Sequence, residues 1–505
     1  MKTMKKLYLV IFVITIIAFM EGCEDVLDLS PVSSVTDVNY WKTPEQFETF
    51  ITGVHSRLRT HAFTLEQLGE FRSDIYGETG DGSIVFERWH LNTLNAEYTG
   101  LSSFGGFYTN INQLNLFISK TLPTNLLPKK DKDYYLGQAY GMRAFYYFHL
   151  LRSWGDLVLH KDPSTSFDFD NLAKAASPVT EVMNFIKQDI DSSAYHFAND
   201  YSFKTKVFWS KAATLMLQAE VYLWSARQIG GGNPDASKAK AALTEIQTNI
   251  PALGLLPNFK DVFAYANKEN KEIIFTLRFK LNEYNFFGGN YTQFLRRWVS
   301  VSNYYDSIGN RKLNTTDDII LTEGGGHYVS PHTYIWRQFS DVDSRKLESI
   351  RGAYKLESGQ YVKTSGNWVS KYKGTFDLGL RVMVDDWPIY RYADLLLMLA
   401  EAKSLLGEDP ASEINLVRTR AFGANYQEAV HGYPNQPVDA DINEALLKER
   451  LFEFICEGKR WYDLRRFGKE YVFKYTTASE DYQLLWPIDK TTLTNNRSLV
   501  QNPGY

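Results

Sequence analysis

The chain has 505 residues and a formal net charge of −4, with both signs of charge interspersed along it. That balance excludes a nucleic-acid binder, which needs a basic stripe, and the length permits a large buried core. Aromatic residues make up 15% of the chain, more than a core of this size requires, so some rings are expected to face a ligand or partner.

The N-terminus carries Lys2, Lys5 and Lys6, an apolar run from Leu7 to Met20, and then Glu21-Gly22-Cys23. That run is too short for a spanning helix, which needs about 20 apolar residues. The pattern reads as a secretory signal over residues 1–22, and a cysteine at the cut site points to a bacterial lipoprotein acylated on Cys23. An ordinary signal peptide with an incidental cysteine is the alternative, because Met20-Glu21-Gly22 departs from the usual Leu-Ala/Ser-Gly. The second cysteine, Cys456, sits in the apolar stretch Leu451-Phe-Glu-Phe-Ile-Cys456 and is expected to be buried packing. With Cys23 acylated, no intrachain disulfide is possible.

Residues 23–40 are polar and irregular, a tether. Trp41-Lys-Thr-Pro44 opens a helix, with Thr43 as cap, Pro44 in the first turn and Gln46 three residues after the cap. Phe47, Phe50, Ile51, Val54 and Leu58 continue it at helical spacing. Residues 62–104 lack that period and read as loops. A helix over 105–120 follows. The strongest pattern comes next: Leu136, Ala139, Tyr140, Arg143, Tyr146, Tyr147 and Leu150 follow the i, i+3, i+4, i+7 spacing, and the helix stops near Trp154-Gly155-Asp156. Helices are expected over 178–198, 207–229 and 235–249. The stretch 271–387 is a loop-rich insertion with short β-prone pieces such as Glu272–Phe279. Helical pattern returns at 388–407, 410–421 and 441–467.

The helices come in pairs. The segments 207–249 and 388–421 each read helix, Gly-containing turn, helix, and each first helix holds an Ala-Glu pair, Ala219-Glu220 and Ala400-Glu401. Each pair spans roughly the 34 residues of a tetratricopeptide unit. The fold class is therefore mainly α: a tetratricopeptide-like helical-repeat scaffold, its core at about 41–60, 105–250 and 388–468, with irregular parts at about 62–104 and 271–387 in a single domain over 41–505.

Four segments then resemble the SusD/RagB family of outer-membrane lipoproteins. They are Cys23-Glu-Asp-Val-Leu-Asp-Leu-Ser-Pro31; Arg143-Ala-Phe-Tyr-Tyr-Phe-His-Leu-Leu-Arg-Ser-Trp-Gly-Asp156; Tyr390-Arg-Tyr-Ala-Asp394 through Glu401, with Glu449-Arg450 and Glu457-Gly-Lys-Arg-Trp-Tyr-Asp463 through Gly468; and Trp486-Pro-Ile488 with the tail Gln501-Asn-Pro-Gly-Tyr505. The resemblance implies four tetratricopeptide-like helix pairs and an irregular segment that builds a ligand face. It also implies capture of oligosaccharides, or in some members peptides, at the outer surface, and partnership with a SusC-like TonB-dependent outer-membrane transporter. Glu24-Asp25 resembles the family's signal for the outer leaflet, so the chain is expected to be lipid-anchored and to face the exterior.

The charged motif residues read as scaffold. Arg450, Glu457, Arg460, Asp463, Arg465 and Arg466 fall in one continuous predicted helix, where Glu457 with Arg460 and Asp463 with Arg466 are spaced to pair on its surface. Tyr390, Arg391 and Asp394 fit the start of another helix. Ligand contacts are expected in the loops instead. A pyranose packs its C–H face on an aromatic ring and needs polar partners for its hydroxyls. Two stretches carry that mixture: Glu70–Tyr76 through Phe86–Asn92 to Tyr98, and Asn282–Tyr291 through Trp298 to Tyr304-Tyr305. From them Trp89, Tyr284, Tyr291, Trp298, Arg72 and Asp74 are the candidate ligand-binding residues; packing of satellite cores or contact with the transporter is the alternative for the rings.

No phosphate loop, Gly-x-Ser-x-Gly elbow or His-Glu-x-x-His is present. His327 and His332 lack a Cys or carboxylate at ligand spacing. Asp341 and Asp343 would begin a calcium loop, but Arg345 stands where a third oxygen ligand belongs. No metal, cofactor or catalytic residue is expected. A cell-envelope glycoside hydrolase, which needs only two carboxylates, is the remaining alternative to a binding protein.

Overall fold

The computed structural model describes residues 40–77, 84–101, 104–164, 173–297, 301–306, 311–322, 326–364 and 366–505. The expected signal over residues 1–22, Cys23 and all of the expected tether but Tyr40 lie outside them. Residues up to Thr49 form a small unit and Phe50–Tyr505 a large one. Within the small unit, Gln46 reaches back as the spacing predicts: its Oε1 accepts the backbone N–H of Thr43 at 3.1 Å and of Lys42 at 2.6 Å. Trp41 packs on Phe47, ring centroids 5.1 Å apart.

The principal helices are α1 Pro44–Thr60, α2 Ala62–Glu70, α3 Phe104–Thr121, α4 Lys129–Trp154, α5 Val179–Phe197, α6 Lys211–Gln228, α7 Gly232–Asn249, α8 Tyr392–Leu405, α9 Ala411–Phe422, α10 Ile442–Phe454 and α11 Arg460–Phe467. From α3 to α9 each packs on the next, and α10 packs on α8 and α11, the tetratricopeptide-like stacking that the paired segments predict. Ser210 caps α6 by accepting from Ala213 N–H. Asp441 caps α10 by accepting from Asn443 N–H at 2.8 Å. Gly155, at φ +82°, stops α4, a conformation that favours glycine. From Leu136 to Trp154 this helix is buried on every face but Tyr140, as suits the middle of a stack. Its charges are paired inside: Arg143 grips Asp189 with two 2.7 Å hydrogen bonds, and Arg152 meets Glu220 at 2.5 Å.

Among the described residues eight short strands sit in and at the end of the insertion: β1 Ile273–Leu277, β2 Ile350–Arg351, β3 Tyr354–Glu357, β4 Gln360–Lys363, β5 Trp368–Val369, β6 Thr375–Asp377, β7 Leu380–Val382 and β8 Trp387–Arg391. They pair antiparallel as β1–β8, β2–β5, β3–β4 and β6–β7. The β1–β8 pair, with Leu277 opposite Trp387 and Ile273 opposite Arg391, ties the two ends of the insertion together. β8 then runs straight into α8. Among the described residues no helix is long and apolar enough to cross a membrane.

Three expectations about local structure are corrected. Residues 62–104 are not all loop: α2 and a short helix, Ile84–His90, lie there. Tyr390 and Arg391 end strand β8 rather than starting a helix. The helix expected over 441–467 is two helices. Between α10 and α11 the chain turns through Cys456 at φ +61° and Gly458 at φ +67°.

That turn is held from α2. Gly69 lies so close to it that a Cβ there would sit 1.8 Å from Gly458 O. Glu70 accepts the backbone N–H groups of Cys456 (3.0 Å), Glu457 (3.0 Å) and Gly458 (3.1 Å). Breaking the helix redirects its charges. Glu457 does not pair with Arg460; it holds Arg391 at 2.8 Å and Lys371 at 2.7 Å. Arg460 instead takes Asp74 at 2.8 Å. Asp463 and Arg466 do pair, at 2.9 Å, but buried rather than on a surface.

Arg391 is the hub of this interior. Its guanidinium, wholly buried, also meets Glu272 at 2.9 Å and Glu453 at 2.7 Å. Arg420 adds a second cation to Glu272 and Glu453. Arg345 binds Asp343 at 2.8 Å, Glu449 at 2.6 Å and Glu453 at 3.2 Å. The surrounding guanidinium groups overcome burial and hold the Glu453 carboxyl below its usual range. Removing one member of a buried pair strands the others, a loss of about 3–5 kcal/mol. Arg391→Met is therefore expected to lower unfolding free energy by about 3 kcal/mol or more, measured by urea titration; a change within 0.5 kcal/mol, the usual scale of a surface substitution, would mean that the hub is not holding the fold.

Glu66 and Glu70 lie side by side with Tyr76, whose hydroxyl is 3.1 Å from one and 3.0 Å from the other. Burial and then the neighbouring Glu70 push the Glu66 carboxyl well above its usual range, and with three N–H donors Glu70 is the better charged member. The folded protein thus keeps a proton on Glu66 that the unfolded chain releases at lower pH. This group's contribution is intact below the unfolded value near 4.5 and is lost as pH rises through the folded one. Glu66→Gln, neutral at every pH, should raise the melting temperature at pH 8 relative to the wild type and change it little at pH 4, as read by differential scanning calorimetry.

Candidate functional site

The structure joins the two irregular segments, 62–104 and 271–387, along one seam. His332 N–H donates to Ile75 O at 2.8 Å and Gly77 N–H to Ser330 O at 3.2 Å, with an antiparallel bridge between Tyr76 and Pro331. Tyr334 OH donates to Asp74 O at 2.8 Å. The seam is anchored beneath, since Tyr76 reaches the Glu66–Glu70 pair and Asp74 is held by Arg460. Loops fixed in this way to a rigid scaffold are the usual home of binding residues.

On this surface the rings of Tyr334 (43% exposed) and Tyr328 (37%) meet solvent. Half-buried His332 lies 5.1 Å from Tyr334 and 6.4 Å from His90. Burial holds the His90 imidazole below its usual range, so it is neutral at pH 7 and offers one donor and one acceptor. Arg88 covers Tyr98 at 4.6 Å. The β3–β4 hairpin adds Tyr305 and Tyr361, 5.2 Å apart edge to face, through backbone hydrogen bonds between Tyr305 and Tyr354. Lys355 lies 5.2 Å from the ring of Tyr304. Rings with interleaved amides, hydroxyls and cations suit an extended polyhydroxyl ligand. Flat apolar faces take the C–H groups, and the polar groups replace water at the hydroxyls.

The candidates chosen from the sequence divide. Tyr284 remains half-exposed, beside a depression of about 410 Å³ lined also by Asn282, Glu283, Asn285 and Gly288. Arg59 sits over its ring at 5.1 Å and is braced by Glu283 at 2.5 Å. Trp298 lies outside the described residues. The other four are buried and closed to ligand in this structure. Trp89 packs edge-on against Phe86 and Trp486, each 5.5 Å away. Tyr291 is turned inward because Phe287, Gly288 and Gly289 all adopt positive φ; its ring meets Phe286 at 4.8 Å and Phe294 at 5.5 Å. Arg72 lies between Trp461 (4.8 Å) and Trp486 (5.1 Å) and donates to Asn92 Oδ1 at 2.8 Å and Leu485 O at 2.7 Å. Asp74 is spent on Arg460. These four stabilise the seam from below.

Tyr328, Tyr334, His90 and the role of His332 were missed. Pro331-His332-Thr333-Tyr334 stands after a Gly triplet in an aperiodic stretch, and that was the available signal. His327, read as a loop residue, is buried, within hydrogen-bonding distance of Asn367 O at 2.8 Å and of Arg296 at 3.1 Å. Among the described residues no group of three His, Cys, Asp or Glu side chains is arranged to hold a metal.

Comparison with known proteins follows the geometry. A family model described as the SusD family matches residues 377–505. A second, described as starch-binding and associating with the outer membrane, matches residues 25–223. The chain is 26% identical over 531 residues to the SusD-like protein P38 of Formosa agariphila, covering 100% of both. It is 32% identical over 130 residues to the starch-binding protein SusD of Bacteroides thetaiotaomicron, 24% of this chain and 22% of that one. Among solved structures it superposes on NanU of B. fragilis with a TM-score of 0.87 at 45% identity, covering 94% of this chain and 100% of NanU. Likeness of that identity and extent, on the stacked-helix scaffold that the sequence motifs anticipate, places the chain in the SusD family.

Proposed function

We propose that this protein captures oligosaccharides at the cell surface, held to the outer membrane by an acylated Cys23, and hands them to a SusC-like TonB-dependent transporter. The observation that carries the reading is the seam at Ile75–Gly77 and Ser330–His332. It fixes two irregular segments as one face carrying exposed Tyr328 and Tyr334 and flanked by tyrosines of the β3–β4 hairpin. Membership of a family with a starch-binding member supports a sugar as ligand, and the family model's outer-membrane description supports the location. The site is an open, aromatic-lined face, which suits an extended chain held by several weak contacts and released onward. Capture rather than cleavage is the proposed role. The buried carboxylates of the seam are engaged: Asp74 with Arg460 and Glu70 with three backbone N–H groups.

Titration calorimetry against a panel of neutral and charged oligosaccharides tests the ligand class. At least one glycan is expected to bind, and Tyr334→Ala or Tyr284→Ala to weaken it about 2- to 10-fold, the loss of one ring contact worth about 0.5–1.5 kcal/mol. Binding of peptides with no glycan would reverse the ligand assignment, and shortening of the bound glycan on incubation would show an enzyme. For the anchor, Cys23→Ala should move the protein from the membrane to the soluble fraction and abolish labelling by radioactive palmitate; a variant that still incorporates the label would sink the acylation site.

A further inference from the structure

A second surface depression, of about 390 Å³, lies where the start of α4 meets the end of α5, and no residue of the two irregular segments lines it. Its walls include Lys130, Asp133, Tyr134, His196, Asn199 and Asp200. The floor is aromatic. The buried Phe197 ring meets Tyr134 edge-on at 6.1 Å and is pressed against α4 where Gly137 leaves room: a Cβ there would lie 2.8 Å from it. His196 is fixed twice, by a 2.9 Å contact with Asp133 and by Tyr140 stacked parallel at 5.7 Å. Beside His196, with ring centroids 5.3 Å apart, stands Tyr195, 77% exposed. Such exposure contributes little to packing.

The charges on the walls offset one another. Lys129 bridges to Asp133, Lys204 covers Tyr134 at 4.6 Å, and Asp200 accepts from Ser202 N–H at 3.1 Å. A depression without a dominant sign of charge does not select an ion. It offers an aromatic floor, fixed donors and acceptors including the exposed Asn199, and, next to its His196 wall, the exposed ring of Tyr195. That set suits a neutral sugar ring, whose C–H face would pack on Tyr195 and whose hydroxyls would bond to Asp133 and Asn199. The volume falls within the usual range for a small-molecule site. We infer that this depression is a second saccharide subsite, built on the scaffold and separate from the Tyr328–Tyr334 face, taking a single neutral pyranose unit. The inference rests on the glycan-capture reading for its ligand class and adds a second place of contact for the same glycan or another.

Saturation-transfer NMR on the full chain with the methyl glycosides of glucose, galactose, mannose and N-acetylglucosamine tests it. At least one glycoside should receive saturation from the Tyr334→Ala variant, and the signal should fall at least fivefold when Tyr195→Ala/Asn199→Ala is added to it. Both positions of the added pair are exposed, and an unchanged melting temperature will show that the variant folds. A signal that survives the added pair, or that is present in the wild type and absent from Tyr334→Ala, overturns the subsite and leaves capture at the main face standing. No signal from any of the four glycosides also overturns it; calorimetry with longer glycans decides the main face independently.

Discussion

The protein depends on one buried guanidinium. Arg391 sits at the end of β8, where the irregular insertion returns to the repeat, and it binds carboxylates from three places in the chain: Glu272 before β1, Glu453 in α10, and Glu457 in the turn between α10 and α11. Each partner is itself closed off from water and has further cations or N–H donors around it. A buried charge network of this kind is a costly way to gain stability. Its effect here is to set position: the two ends of a loop-rich segment are pinned to the helix stack at one point.

The consequences spread outward from that point. Because α10 breaks after Phe454, Glu457 turns toward Arg391 and Lys371, and the turn exposes backbone N–H groups that Glu70 collects. Glu70 lies at the end of α2, so the first irregular segment is attached to the same hub. Tyr76 then links the Glu66–Glu70 pair to the strand bridge at Pro331. A face for a flexible, weakly held ligand needs its rings at fixed spacing, since ordering loops on binding would consume the small energy each sugar contact provides. The chain of contacts from Arg391 through Glu457 and Glu70 to Tyr76 supplies that fixed spacing without placing a charged hub in the face itself.

The two kinds of aromatic residue in this chain serve different ends. Trp89, Trp461, Trp486, Phe286, Phe287 and Tyr291 fill the space beneath the loops. They are why a segment poor in regular structure stays ordered. Tyr284, Tyr328, Tyr334 and Tyr361 remain partly exposed, each with a hydroxyl that tolerates water. Tyrosine rather than tryptophan marks the open surface among the described residues, and an amphipathic ring suits a site that is wet before and after binding.

Much of the scaffold was legible in the sequence. Helical spacing in residues 136–150 and the stop at Gly155 reflect contacts within a few residues, and local contacts leave a local pattern. The cap at Thr43 and Gln46 and the β-prone run at Glu272–Phe279 were readable for the same reason. The break between α10 and α11 was not, although Gly458 marked it, because Glu457, Arg460, Asp463 and Arg466 have the spacing of surface pairs on an unbroken helix. Only the approach of Gly69 and the carboxylate of Glu70, nearly four hundred residues away in the chain, decides otherwise. The same holds for the proposed binding face. An aperiodic stretch rich in rings and polar groups announces a site, but whether Trp89 or Tyr334 faces solvent depends on what lies against it. Trp486 covers the first, while the second keeps part of its ring in solvent with its hydroxyl tied to Asp74 O. The sequence by itself determined the helical stack and the segments that carry the face. Tertiary structure decided which rings compose it, because burial is set by neighbours distant in the chain.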